Sequence, residues 1–265
     1  MQGIPEKFKD KPRRHVWKYR SNQGETLGYV ARFDDGKKKE IVPYFKRGND
    51  HGWQHGSATE PRPLFGLDVL NQADLKRGVF IVEGEKAAAA LQSLGLIAIT
   101  SQGGSNAAHK TDWNLLSERE RVYLLPDNDE AGESYIKAVA VILMNLEKPP
   151  AITIVRLPNL PPAGDVVDWI ASQINDWDGY VPIPKNIIDK GTLLDEFKAI
   201  VKQHCEPIPN EWIAKPAEEN AGNWQAPISL ESAQLPPWPD EVFPGSIRDF
   251  VSALSKSTET PPNLS

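Results

Sequence analysis

Between Gly78 and Ile174 short unbroken apolar runs alternate with stretches whose apolar residues recur at helical spacing. GVFIV, LIAIT, VYLL (Val122–Leu125) and AITIVRL are too short for helices and carry no polar face, so they read as strands buried on both sides. Between them, Glu85–Leu94 puts Ala87, Leu91 and Leu94 on one helical face. After the third strand, Ala131, Tyr135, Ala138, Val139, Ile142 and Leu146 repeat in the same way until Pro149 and Pro150 stop the helix. A short helix is expected around Asp112–Leu116 and a last one over Val166–Ile174. Strand–helix alternation predicts an α/β fold, a mainly parallel sheet with helices on both faces, whose ligands bind at the strands' carboxyl ends.

The flanks have a different texture. Residues 1–13 are polar and expected to be flexible. HVWKYR, LGYVARF and KEIVPYF, separated by SNQGE, DDGKK and KRGNDHG, predict a small antiparallel β-rich subdomain over 14–66. Pro61 and Pro63 mark its end, and the α/β domain follows over 67–177. Ile187–His204 has the pattern of one amphipathic helix. Glu206–Asp240 has no apolar period and is rich in Pro, Glu, Asn and Ala, so 178–240 reads as a helix and a linker. Phe243–Leu254 is a further amphipathic helix with nothing after it to pack against. Residues 241–265 are therefore expected to open another domain, continued in a longer parent protein.

Charge changes this picture in one respect. The net charge is −6, yet residues 1–62 carry 14 Lys and Arg against 8 Asp and Glu, and the remainder 16 against 28. A basic front on an acidic body suggests a phosphate-facing patch. Aromatics interleave with those cations (Trp17, Tyr19, Tyr29, Phe33, Tyr44, Phe45, Trp53), either as the core of a small sheet or as a platform for single-stranded nucleic acid. The single cysteine, Cys205, excludes an internal disulfide and a Cys-rich zinc site, and makes a reducing, cytoplasmic setting the default. No apolar run reaches the roughly 18 residues of a membrane span. His51 and His55 stand four apart in HGWQHG, but the Gly-rich setting fixes no helix and supplies no third ligand, so they read as a loop.

The chemistry gathers at the strand ends. VYLL runs through Pro126 into Asp127 and Asp129; if the extended backbone persists past the proline, both acids share one face. The first strand ends in Glu83–Gly84, at the same sheet edge. Carboxylates brought together repel unless a cation lies between them, and hard oxygen donors favour Mg²⁺ or Mn²⁺. Asp165 and Asp168 could hold a second ion or cap the last helix. Lys86 and Lys110 stand where a phosphate could be met.

IVEGEKAAAAL, TSQGGSN, LLPDNDEAGESY and GDVVDWI, in that order, resemble the Toprim domain of DnaG-type primases, topoisomerases and some nucleases. Upstream, YR, GE-LGY, RF and LFGLDVL resemble the small subdomain that precedes Toprim in phage-type primase-helicases. The tail LPPWPDEVFPGSIRDFVSALSKSTETPP is similar to the entrance of a helicase- or ATPase-like domain of phage and mobile-element proteins. The resemblance implies Mg²⁺-dependent synthesis of RNA primers on single-stranded DNA from nucleoside triphosphates. It implies Glu83, Asp127 and Asp129 as catalytic metal ligands, with Gly84, Lys86, Gly103, Gly104 and Lys110 against the substrate. Ala87 stands where many such sequences carry an acid, and no zinc-binding module is present. Two other functions stay open, a Toprim-type nuclease and a non-catalytic DNA-binding adaptor.

Overall fold

The computed structural model describes residues 3–46 and 52–213, with Gly245, Asp249, Phe250, Ala253 and Leu254 beyond them. The chain divides into two compact units, Met1–Ala214 and Lys215–Ser265. In the second unit those five positions are helical and exposed, within the helix expected over Phe243–Leu254. The rest of the expected linker from 214 to 240, and the further domain, lie outside the described residues.

The first unit opens with a five-stranded antiparallel sheet in sequence order, β1 (Lys7–Phe8), β2 (Lys11–Arg20), β3 (Thr26–Asp34), β4 (Lys39–Phe45) and β5 (Gln54–His55). Residues 7–13, expected to be flexible, belong to this sheet: Arg13 pairs with Phe33, and its guanidinium donates to the Ile4 carbonyl at 2.6 Å. Alternation along the strands sorts the aromatics. Tyr29, Phe33 and Tyr44 pack under one face with Ile4, Ala31 and Val42; Trp17, Tyr19 and Phe45 turn to the other. These six rings are buried, so they form a core and do not offer a stacking platform to nucleic acid. His55 sits in β5 with its ring beside Phe8 and Tyr44, while His51 lies outside the described residues.

Next come α1 (Leu67–Gln72), β6 (Val79–Val82), α2 (Glu85–Ser93), β7 (Ile97–Ile99), two 3₁₀ turns (Ser105–Lys110, Asn114–Leu116) and β8 (Arg121–Leu125). They are followed by α3 (Glu130–Met144), β9 (Ala151–Val155), α4 (Val166–Gln173), α5 (Lys185–Ile188), α6 (Thr192–Gln203), β10 (Cys205–Pro207) and α7 (Asn210–Ile213). The second sheet runs β10-β9-β8-β6-β7, parallel from β9 to β7 with β10 antiparallel at the edge. All of VFIV is buried because the sheet is covered on both sides. Phe80 and Val82 meet α2, α4 and α6, whereas Val79 and Ile81 meet α3 through Tyr135, Ile136, Val139 and Leu143. Each such side chain, once buried, contributes roughly 1.5–3 kcal/mol. The basic sheet adds Trp17, Tyr19 and Phe45 to the α2 side of this core, which joins the two sheets.

Two boundaries differ from the pattern read in the sequence. The helix expected over Ile187–His204 is broken into α5 and α6 by Gly191, whose φ of 72° is left-handed and cheap only for glycine. The start of the segment expected to be a linker is instead ordered structure, because Cys205–Glu206–Pro207 pairs with β9 and α7 follows. An edge strand can carry Pro207, which has no N–H to donate. Among the described residues no helix is long and apolar enough to cross a membrane.

Candidate active site

Strand β6 lies between β7 and β8, and the helices that follow β6 and β8 depart to opposite faces: α2 to one core, α3 to the other. Adjacent strands whose continuations diverge leave a crevice at their carboxyl ends. Glu83 follows β6 and Asp127 follows β8, one on each side of that crevice. The cleft above it, about 550 Å³, extends to the basic sheet and is lined by Glu83, Asp127 and Asp165, by Arg32 and Lys39 of that sheet, and by Lys86 of α2.

The local backbone explains these placements. Gly84 turns the chain from β6 into α2 with φ 86°, ψ 153°, a combination that side chains resist, and its N–H donates to Thr100 Oγ1 at 3.1 Å. The Tyr135 hydroxyl on α3 accepts from the Ser101 N–H at 3.1 Å and lies 3.0 Å from Ser101 Oγ, which anchors the Ser101–Gly104 loop over the site. A Cβ on Gly104 would stand 3.0 Å from Glu83 Oε1. Strand β8 stops at Leu125. After Pro126 the Asp129 N–H turns back to the Asp127 carbonyl at 2.8 Å, and the Asn128 side chain donates to the Leu160 and Pro161 carbonyls.

That turn corrects one geometric expectation. The extended backbone does not persist past Pro126, so Asp127 and Asp129 do not present one face. Asp127 lines the cleft; Asp129 is exposed and caps α3, its Oδ1 accepting from the Gly132 N–H at 2.8 Å. Asp165 and Asp168 form a capping box on α4: Asp165 Oδ1 accepts from the Val167 and Asp168 N–H groups, and Asp168 Oδ2 from the Asp165 N–H. Asp165 lines the cleft nonetheless, while Asp168 is outside its lining. Gly84, Lys86, Gly103 and Gly104 line it too. Lys110 instead pairs with Glu60 at 3.0 Å, outside the lining.

The electrostatics follow from this crowding. Burial, then the carboxylates of Asp165, Glu83 and Asp129, push Asp127 up to about 8. Burial and Asp129 also raise Glu83, and burial raises Asp165 against the pull of the Val167 N–H. Lys39, reaching from β4, opposes the rise at both Asp127 and Glu83. Burial lowers Lys86, whose ammonium stands 4.2 Å from the Tyr180 ring centroid. Among the described residues no three His, Cys, Asp or Glu side chains already stand close enough to share a metal ion. Glu83 Oε2, however, is buried without a hydrogen-bond partner, an orphaned anionic oxygen of the kind that a cation satisfies. The donor set, all carboxylate oxygen, fits a hard divalent ion.

Sequence reasoning did not single out Arg32, Lys39 or Glu85. Arg32 and Lys39 lie on the basic front, but only the packing of one sheet over the other turns them to the acids. Glu85 is buried at the start of α2 and accepts from the Tyr19 hydroxyl at 2.7 Å across the joint between the sheets. Burial raises both groups.

The solved structures that this chain is similar to in fold are primase domains. A DNA primase domain from Pseudomonas aeruginosa is similar over 78% of this chain and 55% of that one, with TM-score 0.50 and 16% identity. A DnaG primase catalytic domain bound to ssDNA gives TM-score 0.43 and 16% identity over 71% of this chain and 50% of that one. The Escherichia coli primase catalytic core gives 0.44 and 15% over 75% and 54%. At these identities the likeness is one of fold, and the chain spans about half the length of those structures. No protein-family model and no curated protein matches the sequence.

Proposed function

We propose that this chain is the catalytic module of a primase-type nucleotidyltransferase in DNA replication, joining ribonucleotides on single-stranded DNA with Mg²⁺ or Mn²⁺. The observation that carries the reading is the meeting of Glu83, Asp127 and Asp165 in one cleft with Arg32 and Lys39 of the basic sheet. Glu83 and Asp127 would hold the ion together with Asp165, while Asp129, with one oxygen given to its helix cap, stands beside them. When bound, such an ion neutralises the triphosphate and lowers the pKa of the attacking hydroxyl.

The chain's own residues do the rest by position. Arg32 and Lys39 on the basic sheet and Lys86 on α2 offer charge to phosphate oxygens in the same cleft. Gly104 keeps the space beside Glu83 free of a side chain, which leaves room for a nucleotide. Exposed cations of the basic sheet, Arg14 and Lys18 among them, are suited to the template's phosphates. The tail's resemblance supports a place within a phage or mobile-element primase-helicase.

The test adds Mg²⁺ and labelled ribonucleoside triphosphates to the protein and single-stranded DNA. Labelled chains should appear with the native sequence and vanish in an Asp127→Asn variant; products that persist in that variant overturn the assignment. A shortened DNA strand in Mn²⁺ would make the protein a nuclease. DNA binding that survives chelation, without turnover, would make it an adaptor.

A further inference from the structure

The acids occupy the carboxyl end of the parallel sheet. Its amino end, roughly 15–20 Å away along β6 and its flanks, carries a second cavity of about 500 Å³ that the reaction above does not use. Its floor is aromatic. Phe80 and Tyr123 are register partners on adjacent strands, and their rings stack with centroids 4.9 Å apart at 20°. Gly78 makes room for this: a Cβ there would stand 2.5 Å from Tyr123 Cε2.

Around the floor stand Arg77, Arg121, Lys198 and Lys202, and among the described residues no carboxylate lines the cavity. Lys198 and Lys202 lie one turn apart on α6, and the arginines flank the starts of β6 and β8. Like charges so gathered repel, and they do so in the part of the chain that carries 28 acids against 16 bases. Their present partners use little of their capacity. Arg77 gives one N–H to the Gly95 carbonyl at 3.0 Å and Arg121 one to the Tyr123 hydroxyl at 3.3 Å. Lys198 has only an exposed pair with Asp195 at 3.5 Å, and Lys202 has no ion pair among the described residues.

An apolar ligand would leave these charges unmatched, and a bare inorganic anion would leave the rings wet. A planar base carrying a phosphate answers both. We propose that this cavity is a second nucleotide site, with the base against Tyr123 and the phosphate among Arg77, Arg121, Lys198 and Lys202. A free nucleotide and the 5′-phosphorylated end of a strand share this chemistry.

Cys205 lines the same cavity, is exposed and is the only cysteine of the chain, so it reports on occupancy. The experiment follows its reaction with uncharged 4,4′-dithiodipyridine in the full chain, with chelator present. AMP should slow the reaction at least fivefold and saturably, and ribose 5-phosphate should do much less. Lys202→Glu, on an exposed helix position where folding is checked by circular dichroism, should abolish protection. Tyr123→Ala should remove the preference for AMP over ribose 5-phosphate, and the protection of Cys205 should persist in an Asp127→Asn variant that no longer makes primers. A 5′-phosphorylated oligodeoxynucleotide run beside AMP separates the sources: protection by AMP identifies free nucleotide, protection by the oligonucleotide alone a strand end. No protection by either at millimolar concentration, equal protection by ribose 5-phosphate, or protection that survives Lys202→Glu overturns the proposal.

Discussion

Without a cation, the acid cleft should make this protein lose stability as pH rises. Asp127 is held at about 8 by burial and by Asp165, Glu83 and Asp129, whereas in the unfolded chain the same carboxyl titrates near 3.9. Between those values the folded state keeps a proton that the unfolded state has released. Stability therefore falls through that window, and the loss is complete above the folded value. Roughly four pH units at about 1.4 kcal/mol each set a ceiling near 6 kcal/mol. Water in the open cleft screens the charges and brings the expected effect to about 1–3 kcal/mol. Asp127→Asn removes the titration. Near pH 3, below both values, folded and unfolded chains carry a neutral group at this position and the two proteins should melt together. At pH 9 in chelator the variant should melt higher, by about 2–4 °C for each kcal/mol in a unit of this size. Adding Mg²⁺ at pH 8 should raise the wild-type midpoint and leave the variant's nearly unchanged. The assay is thermal unfolding by circular dichroism across that pH range. Parallel curves for the two proteins in chelator would refute the reasoning, because they would mean that neither burial nor the neighbouring carboxylates hold Asp127 above its unfolded value.

Other perturbations test the scaffold of the site. A Cβ on Gly132 would stand 2.5 Å from the Asp127 carbonyl oxygen and 2.6 Å from its nitrogen, both backbone. Gly132→Ala should therefore displace Asp127 and reduce primer synthesis more than tenfold in a nucleotide-incorporation assay. Asp129→Ser keeps a capping oxygen and should leave stability within about 0.5 kcal/mol, while Asp129→Ala should cost about 1 kcal/mol in urea unfolding. Arg119 is buried and donates to the Leu70, Ala73 and Asp74 carbonyls at 2.6, 3.1 and 2.9 Å. Arg119→Ala orphans them and should cost about 2–4 kcal/mol by the same measurement. Tyr19→Phe leaves the buried Glu85 without its donor and should destabilise by about 1–3 kcal/mol, with Glu85→Gln far milder because its amide oxygen can still accept.

What local pattern can encode, the chain displayed openly. Four unbroken apolar runs became β6 to β9 because a strand covered on both faces needs no polar side, and the period through Tyr135 and Val139 became the buried face of α3. Glu83, Asp127 and Asp165 were visible as acids at strand and helix ends. What local pattern cannot encode was left to the tertiary structure. Whether an extended strand survives Pro126 depends on Asn128 finding the Leu160 and Pro161 carbonyls, more than thirty residues away. Whether Asp129 faces an ion or caps a helix follows from that turn. Arg32 and Lys39 lie on another sheet from the acids, and no periodicity within β3 or β4 says which of their positions will line a cleft with carboxylates. Hydrophobic spacing is a property of neighbours along the chain; the cleft is made by residues that only folding brings together.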